Sequence, residues 1–90
     1  MKKTVLATFS DHVREIVREI PRGTTLSYQE VARRAGNGKA ARAVARIMAA
    51  NYDPEIPCHR VIRSDGKLGG YNRGGTYAKD LLLKQENYHR

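Results

Sequence analysis

The sequence predicts a mainly α-helical domain with a small β-hairpin wing, of the winged helix-turn-helix type. Three short segments with apolar residues at helical spacing come first, a stretch rich in Pro and Gly follows, and a fourth helical segment ends the chain. Lys and Arg number 17 against 9 Asp and Glu, which gives a net charge of +8 and a pI near 10.1. This surplus indicates a polyanionic partner, with nucleic acid favoured over an anionic membrane surface.

Length and composition exclude several classes of protein. The 90 residues fit one domain, 1–90, and 40% hydrophobic with 29% charged residues is typical of a folded chain. No apolar run is long enough to span a bilayer, and residues 1–7 are too polar for a signal peptide. One Cys excludes an internal disulfide, and with three His a zinc site is not expected. We therefore expect a cytoplasmic protein with no metal, cofactor or membrane contact.

The first two helices are predicted by apolar spacing and by capping residues. The first helix presents one apolar face, formed by Phe9, Val13, Ile16, Val17 and Ile20. Thr8 or Ser10 caps its start, and Pro21 with Gly23 ends it. Ser27–Glu30 reads as a capping box that begins the second helix, which ends at Gly36-Asn37-Gly38.

The third helix is predicted from near Lys39 to about Ala50. Its core-facing residues are Ala40, Ala43, Val44, Ile47 and Met48. Lys39, Arg42 and Arg46 share an exposed face, and no acidic residue lies between Val31 and Tyr52. A basic helix after a short helix and a Gly-containing turn is typical of a helix-turn-helix. The alternative is an αα-hairpin with a solvated basic face.

The second half of the chain predicts a hairpin and a last helix. Two prolines within 51–57 exclude a long helix there. Asp65-Gly66, between the short runs Val61–Arg63 and Leu68–Tyr71, predicts the hairpin wing. The last helix is expected to turn three apolar residues inward and to end near Asn87. Those residues are Tyr77, Leu81 and Leu82.

Cys58 is the best candidate nucleophile in the sequence. Its neighbours His59 and Arg60 can supply a proton acceptor and positive potential, both of which favour the reactive thiolate. The alternative is a small buried hydrophobic residue without chemistry, with His59 on the surface.

Residues 56–62, Ile-Pro-Cys-His-Arg-Val-Ile, resemble the active-site motif of the O6-alkylguanine-DNA alkyltransferases. The resemblance extends in the family's order from about Phe9 to Glu86. Its further segments are 20–23, 27–28, 36–44, Asn51 and 64–71. It departs from the family pattern at Tyr52, where Pro is usual, in a segment from Asn51 to Cys58 that is one residue short, and at the extra Arg73. The family's N-terminal domain is expected to be absent.

The resemblance implies a catalytic set. Cys58 matches the thiol that accepts an alkyl group from guanine O6, and His59 the base that deprotonates it through a water. Glu86 matches the carboxylate that orients this His, and Asn51 the hinge that braces the preceding turn. Tyr28 matches the phenol that donates to guanine N3 as the base leaves.

The resemblance also implies a DNA-binding face and a substrate pocket. Arg42 matches the residue that replaces the extruded nucleotide, and the third helix enters the minor groove with little sequence preference. Lys39, Ala41 and Arg46 are expected to contact DNA beside it. The residues expected at the flipped base are Tyr71, Asn72 (through its backbone N–H near O6) and Val61. Lys79 matches a position with a supporting role.

The function implied is a single-turnover methylated-DNA–[protein]-cysteine S-methyltransferase. It is expected to act as a monomer on double-stranded DNA that contains O6-alkylguanine, in association with the nucleoid. One alternative is a non-catalytic alkyltransferase-like lesion sensor, although that class has another residue in place of Cys58. Another is a winged-helix regulator in which Cys58 has no chemical role.

Overall fold

Four helices form the framework of the described chain, residues 8–88, in the computed structural model. They are α1 (Phe9–Arg18), α2 (Tyr28–Arg34), α3 (Ala41–Ala49) and α4 (Gly75–Gln85). Between them lie strands β1 (Leu26–Ser27) and β2 (Val61–Ile62) and a single 3-10 turn at Cys58–Arg60. The predicted mainly helical class is confirmed, and the β element of the described residues is a small two-stranded sheet. Residues 1–7, which we judged not to be a signal peptide, lie outside the described chain.

Side-chain caps begin the first two helices where the sequence predicts them. Thr8 accepts a hydrogen bond from the Asp11 N–H at 3.1 Å, and Ser27 accepts one from the Glu30 N–H at 2.9 Å. The reciprocal half of the predicted capping box is not formed, because the Glu30 carboxylate pairs with Arg33 and Arg34. Charge-assisted bonds to two guanidinium groups outcompete a bond to one neutral backbone N–H.

The core forms where α1 crosses α2 and α3. Val13 and Val17 of α1 pack with Val31 of α2, and Val44 and Met48 of α3 complete the cluster. α2 ends at Arg34, and two residues later Gly36 has a φ of +103°, which suits glycine and lets the chain turn towards α3. α3 begins at Ala41, two residues later than predicted. The predicted helix–turn–helix pair thus rests on α1, with its basic residues outward.

The small sheet is not the predicted hairpin. β1 and β2 pair in parallel, with Leu26 beside Val61 and Ser27 beside Ile62. The predicted Asp65-Gly66 turn does form, since the Arg63 N–H donates to the Lys67 carbonyl at 2.9 Å. No strand follows this turn in the described chain, and the Leu68 carbonyl binds the Lys79 ammonium group instead. Prediction of a hairpin from this turn was therefore wrong.

The last helix buries a different face from the one predicted. Tyr77 and Leu81 are 75% and 42% exposed, whereas Lys79 and Leu83 are buried. Leu83 packs with Ile62 and Leu68 in a second small cluster. Lys79 fixes the rotation of α4 because its ammonium group reaches buried carbonyls on the core side. Within residues 8–88, no helix is long and apolar enough to cross a bilayer.

Candidate active site

Cys58 lies in the wall of a cavity of about 330 Å³ between α3 and the loop before α4. The cavity is lined by Tyr28, Ala45, Met48, Ala49, Cys58, Gly70, Tyr71 and Asn72. The residue is 5% exposed and begins the 3-10 turn, directly after Pro57. The volume is near the lower end of the range of about 300–1,000 Å³ for small-molecule sites. The thiol is thus buried against apolar residues and next to a cavity.

Glu86 links the two residues that follow Cys58. Its carboxylate accepts from His59 Nε2 at 2.8 Å and from two guanidinium nitrogens of Arg60 at 2.8 Å each. Arg60 also donates to the Ile20 carbonyl at 2.8 Å, which fixes the guanidinium in place. The hydrogen bonds from Arg60, and then those from His59, lower the pKa of Glu86 to about 2. The carboxylate is therefore ionised at neutral pH and can only accept hydrogen bonds.

This ionisation assigns the proton on His59. Because Glu86 only accepts, the neutral imidazole carries its proton on Nε2 and has its lone pair on Nδ1. The ring also lies edge-on to Tyr71, with centroids 6.3 Å apart. The arrangement leaves Nδ1 free to accept a proton.

Tyr28 and Lys79 form the opposite side of the site. Tyr28 begins α2, and burial raises the pKa of its phenol, as would negative charge on the nearby Cys58, so the phenol keeps its proton. Lys79 is fully buried, and its Nζ donates to the carbonyls of Val61 and Leu68 at 2.6 Å each. It also donates to the Tyr28 hydroxyl at 3.4 Å, and burial lowers the pKa of Lys79 to about 8. One ammonium group thus holds β2, the loop after it and Tyr28 together.

Close packing around Tyr28 requires a glycine. Gly69 has a φ of +76°, and a Cβ atom there would lie 3.2 Å from the Tyr28 hydroxyl. A larger residue would therefore strain the backbone and displace the phenol.

Asn51 and Asn72 brace the entrance to the site. The Asn51 side chain donates to the Ile56 carbonyl at 3.4 Å and accepts from the Asp53 N–H at 3.3 Å, which closes the turn before Cys58. Asn72 Nδ2 donates to the carbonyls of Ala49 and Asn51 at 2.8 and 2.7 Å. The loop over the cavity is thereby tied to the C-terminal end of α3.

The basic residues of α3 lie near the mouth of the cavity. Arg42 and Arg46 are exposed, and Lys39 is exposed just before the helix, while Ala41 is half-buried. Arg42 shares a helical face with Ala45 and Ala49, three and seven residues later, and both of these line the cavity. Arg42 therefore stands one turn from the cavity wall.

One expected substrate residue lies elsewhere, and several contacts were not expected. The Val61 side chain is fully buried in the core and does not line the cavity, although its carbonyl binds Lys79. The two hydrogen bonds from Arg60 to Glu86 and the Asn72 side-chain contacts join residues 21 to 26 positions apart, so no local sequence pattern predicts them. Within residues 8–88, no three His, Cys, Asp or Glu residues are grouped to hold a metal ion.

Comparison with known proteins identifies relatives of the whole described chain. A family model for the DNA-binding domain of 6-O-methylguanine DNA methyltransferase matches residues 8–88. The methylated-DNA–protein-cysteine methyltransferase of Mus musculus is 49% identical over 73 residues, which cover 80% of this chain. The chain spans only 35% of the mouse protein's length.

Solved structures with the same fold include two proteins in complex with DNA. The crystal structure of Mycobacterium tuberculosis OGT in complex with DNA has a TM-score of 0.83 at 41% identity, covering 90% of this chain and 49% of OGT. S. pombe Atl1, in complex with damaged DNA containing O6-carboxymethylguanine, has a TM-score of 0.79 at 31% identity. That match covers 88% of this chain and 75% of Atl1. By sequence and by fold, the chain belongs to the 6-O-methylguanine DNA methyltransferase family of DNA repair proteins, through their DNA-binding domain.

Proposed function

We propose that this protein removes the alkyl group from O6-alkylguanine in double-stranded DNA and transfers it irreversibly to Cys58. The single observation that carries the proposal is the position of Cys58. Its thiol lies in the wall of a cavity that Tyr28 also lines with a phenol that stays protonated. The next residue is His59, whose Nε2 is held by Glu86 so that Nδ1 can accept a proton. Nucleophilic displacement needs these three groups: an attacking sulfur, a base for its proton and an acid for the leaving purine.

The thiol loses its proton to His59 Nδ1 through a water molecule. The imidazolium that forms is stabilised by Glu86, which stays ionised because Arg60 holds it from the other side. The thiolate then attacks the O6-alkyl carbon, so that an S–C bond forms as the C–O6 bond breaks. The electron pair of the broken bond passes to the purine.

Tyr28 neutralises the departing guanine. Its hydroxyl oxygen accepts from Lys79, so the phenolic hydrogen is free to point into the cavity at guanine N3. Transfer of that proton leaves neutral guanine, and His59 returns the proton taken from Cys58 to Tyr28 through solvent. The product is a thioether, and no group in the described site can cleave it, so each molecule reacts once.

The cavity admits a base only when the base leaves the duplex, because O6 is inaccessible to a protein sulfur inside the helical stack. Placing α3 in the minor groove brings Arg42 to the space that the extruded nucleotide vacates, next to the cavity wall. Lys39 and Arg46 would pair with phosphates, with Ala41 packed close to the groove and little sequence readout. We expect the protein to act as a monomer, without a cofactor, in the compartment that holds the chromosome.

Salt dependence tests the DNA-binding face. If Lys39, Arg42 and Arg46 meet phosphates, the logarithm of the affinity falls linearly with the logarithm of salt concentration. Replacing Arg46 with Ala should reduce that slope by about one. Binding that is nearly independent of salt would contradict the proposed face.

The second candidate function is a lesion sensor that flips the base without transfer. The structural similarity to S. pombe Atl1, with a TM-score of 0.79, favours it. The experiment that separates the two is incubation with a duplex containing O6-methylguanine, followed by intact-protein and peptide mass measurement. Transfer predicts one methyl group on the Cys58 peptide, and Cys58→Ser should bind the duplex and gain no mass. Tight binding by the wild type without a mass gain would favour the sensor.

A further inference from the structure

A second cavity, of about 350 Å³, lies behind the loop that covers the Cys58 cavity. Tyr71 lines both cavities, and Pro57 and His59, on either side of Cys58, line the second one. Tyr71 therefore stands at the shared edge of the thiol cavity and its neighbour. The second cavity also differs in chemistry, since three arginines, Arg18, Arg60 and Arg73, contribute to its wall.

Two of these arginines already have partners. Arg60 binds Glu86 and the Ile20 carbonyl, and Arg18 pairs with Glu15 and, at 3.4 Å, with the exposed Glu55, which is the carboxylate in this cavity's wall. Arg73 differs, because its terminal NH2 nitrogen is buried and has no hydrogen-bond partner among residues 8–88. Its guanidinium also lies beside the Tyr71 hydroxyl.

A buried, charged donor without an acceptor is unfavourable, so such a group marks a place where a ligand's acceptor can be received. The charge selects for an anion, and the planar guanidinium matches a carboxylate.

In-line displacement connects the two cavities. O6, the reacting carbon and the Cys58 sulfur must lie on one line, so a substituent on that carbon projects sideways from it. The cavity wall beside Cys58 includes Tyr71, and beyond Tyr71 lies Arg73. A methyl group has nothing to place there, whereas a longer alkyl group does.

On this basis, and resting on the proposed function, we propose that Arg73 makes this protein selective for O6-alkyl groups that end in a carboxylate. The carboxylate occupies the second cavity and pairs with the free guanidinium nitrogen. The thiolate attacks the methylene carbon, the C–O6 bond breaks, and guanine leaves with the proton from Tyr28. The product is S-carboxymethylcysteine at position 58 when the lesion is O6-carboxymethylguanine.

The test measures single-turnover transfer rates from three duplexes that differ only in the O6 group: methyl, carboxymethyl and the neutral carbamoylmethyl. In the wild type we expect carboxymethyl to react about tenfold faster than carbamoylmethyl, the effect typical of one charge-assisted contact. Arg73→Gln should abolish that ratio while the methyl rate stays unchanged, and Arg73→Lys should restore part of it. Arg63→Gln is the matched control, since it removes one exposed positive charge outside both cavities.

Each arm has a defined reading. A ratio that Arg73→Gln leaves unchanged, with methyl transfer intact, would overturn this inference alone. A larger loss of affinity for undamaged DNA in Arg73→Gln than in Arg63→Gln would also overturn it, because Arg73 would then contact a phosphate. No transfer from the methyl duplex by the wild type would overturn the proposed function, and this inference with it.

Discussion

Replacing Glu86 with Gln removes the charge that links His59 and Arg60 while keeping the shape of the side chain. The carboxylate accepts three hydrogen bonds at 2.8 Å, two from Arg60 and one from His59. A glutamine offers one carbonyl oxygen and a donor NH2 group, so it cannot satisfy both partners. The side chains of Glu86, His59 and Arg60 are 7%, 12% and 16% exposed, and water therefore screens these contacts little.

The size of the effect follows from the pKa of Glu86. Its folded value of about 2 is below its ordinary 4.5, and this difference corresponds to about 3 kcal/mol of stability. Removing one partner from a buried ion pair costs a similar amount, about 3–5 kcal/mol. Because the folded pKa is the lower one, the stabilisation is present above pH 4.5 and is lost as the pH falls through 2. At pH 7 the variant should unfold at a temperature lower by about 12–24 °C.

Urea denaturation at pH 7, 4 and 2.5 measures this difference directly. The gap between wild type and Glu86→Gln should be largest at pH 7 and should shrink as the wild-type carboxylate becomes protonated. Glu30→Gln is the control, since Glu30 also pairs with two arginines but does so on the exposed surface of α2, where we expect little loss. At pH 7 alkyl transfer by Glu86→Gln should slow by about 10²–10⁴-fold, because His59 loses the group that fixes its tautomer. A gap that is the same at all three pH values would refute this reasoning.

Three further substitutions test the supports of the site. The stability of the wild type should rise between pH 8 and 10, because the folded pKa of Lys79, about 8, is below the ordinary 10.5 and the unfolded chain binds the extra proton. Lys79→Met should remove this rise. Urea denaturation that shows no such rise in the wild type would contradict this reasoning. Asn72→Asp replaces a hydrogen-bond donor to the end of α3 with a carboxylate that repels the carbonyls there. Single-turnover transfer should therefore slow, while the affinity for undamaged DNA should change by less than about twofold. An equal loss in both measurements would show a general folding defect. Arg42→Ala should reduce base extrusion by much more than Arg46→Ala does. The measurement is 2-aminopurine fluorescence at saturating protein, and equal extrusion by the two variants would contradict the intercalating role of Arg42.

The helices were predictable because their signals are local. Thr8 and Ser27 lie within three residues of the N–H groups that they cap, and Gly36 turns the chain after α2 through its own backbone conformation. The pairing of the strands was not predictable, because β1 and β2 have two residues each and come from segments 35 positions apart. Two residues show no alternation, and only tertiary packing selects which partner they take.

The face of α4 shows why apolar pattern alone misplaced a helix. Tyr77 and Leu81, four residues apart, suggest an inward stripe, yet both are exposed. The buried residue between them is Lys79, which a hydrophobicity argument assigns to solvent. Four acceptors converge on its ammonium group, and that requirement fixes the rotation of the helix.

The candidate site was partly visible in the sequence for a related reason. Cys58 and His59 are adjacent in the sequence, and the motif around them carries the resemblance, so their proximity could be predicted without knowledge of the fold. Glu86 is 27 positions from His59, and its place was implied only by the family's order. The bond from Arg60 that keeps Glu86 ionised could not be inferred, because a guanidinium next to a cysteine has many possible partners until α4 is placed.

Part of the small core consists of polar residues, and each of them positions a residue or turn of the candidate site. Asn51, Lys79 and Glu86 are at most 7% exposed, in a chain short enough that every buried position matters for stability. Apolar residues there would pack without the cost of desolvation, but they would leave the turn before Cys58, Tyr28 and His59 without fixed partners. If the proposed transfer is correct, the protein reacts once and gains nothing from rapid turnover. The proposal instead requires the thiol, base and acid to be in place when the lesion enters, and buried hydrogen-bonded side chains hold them there.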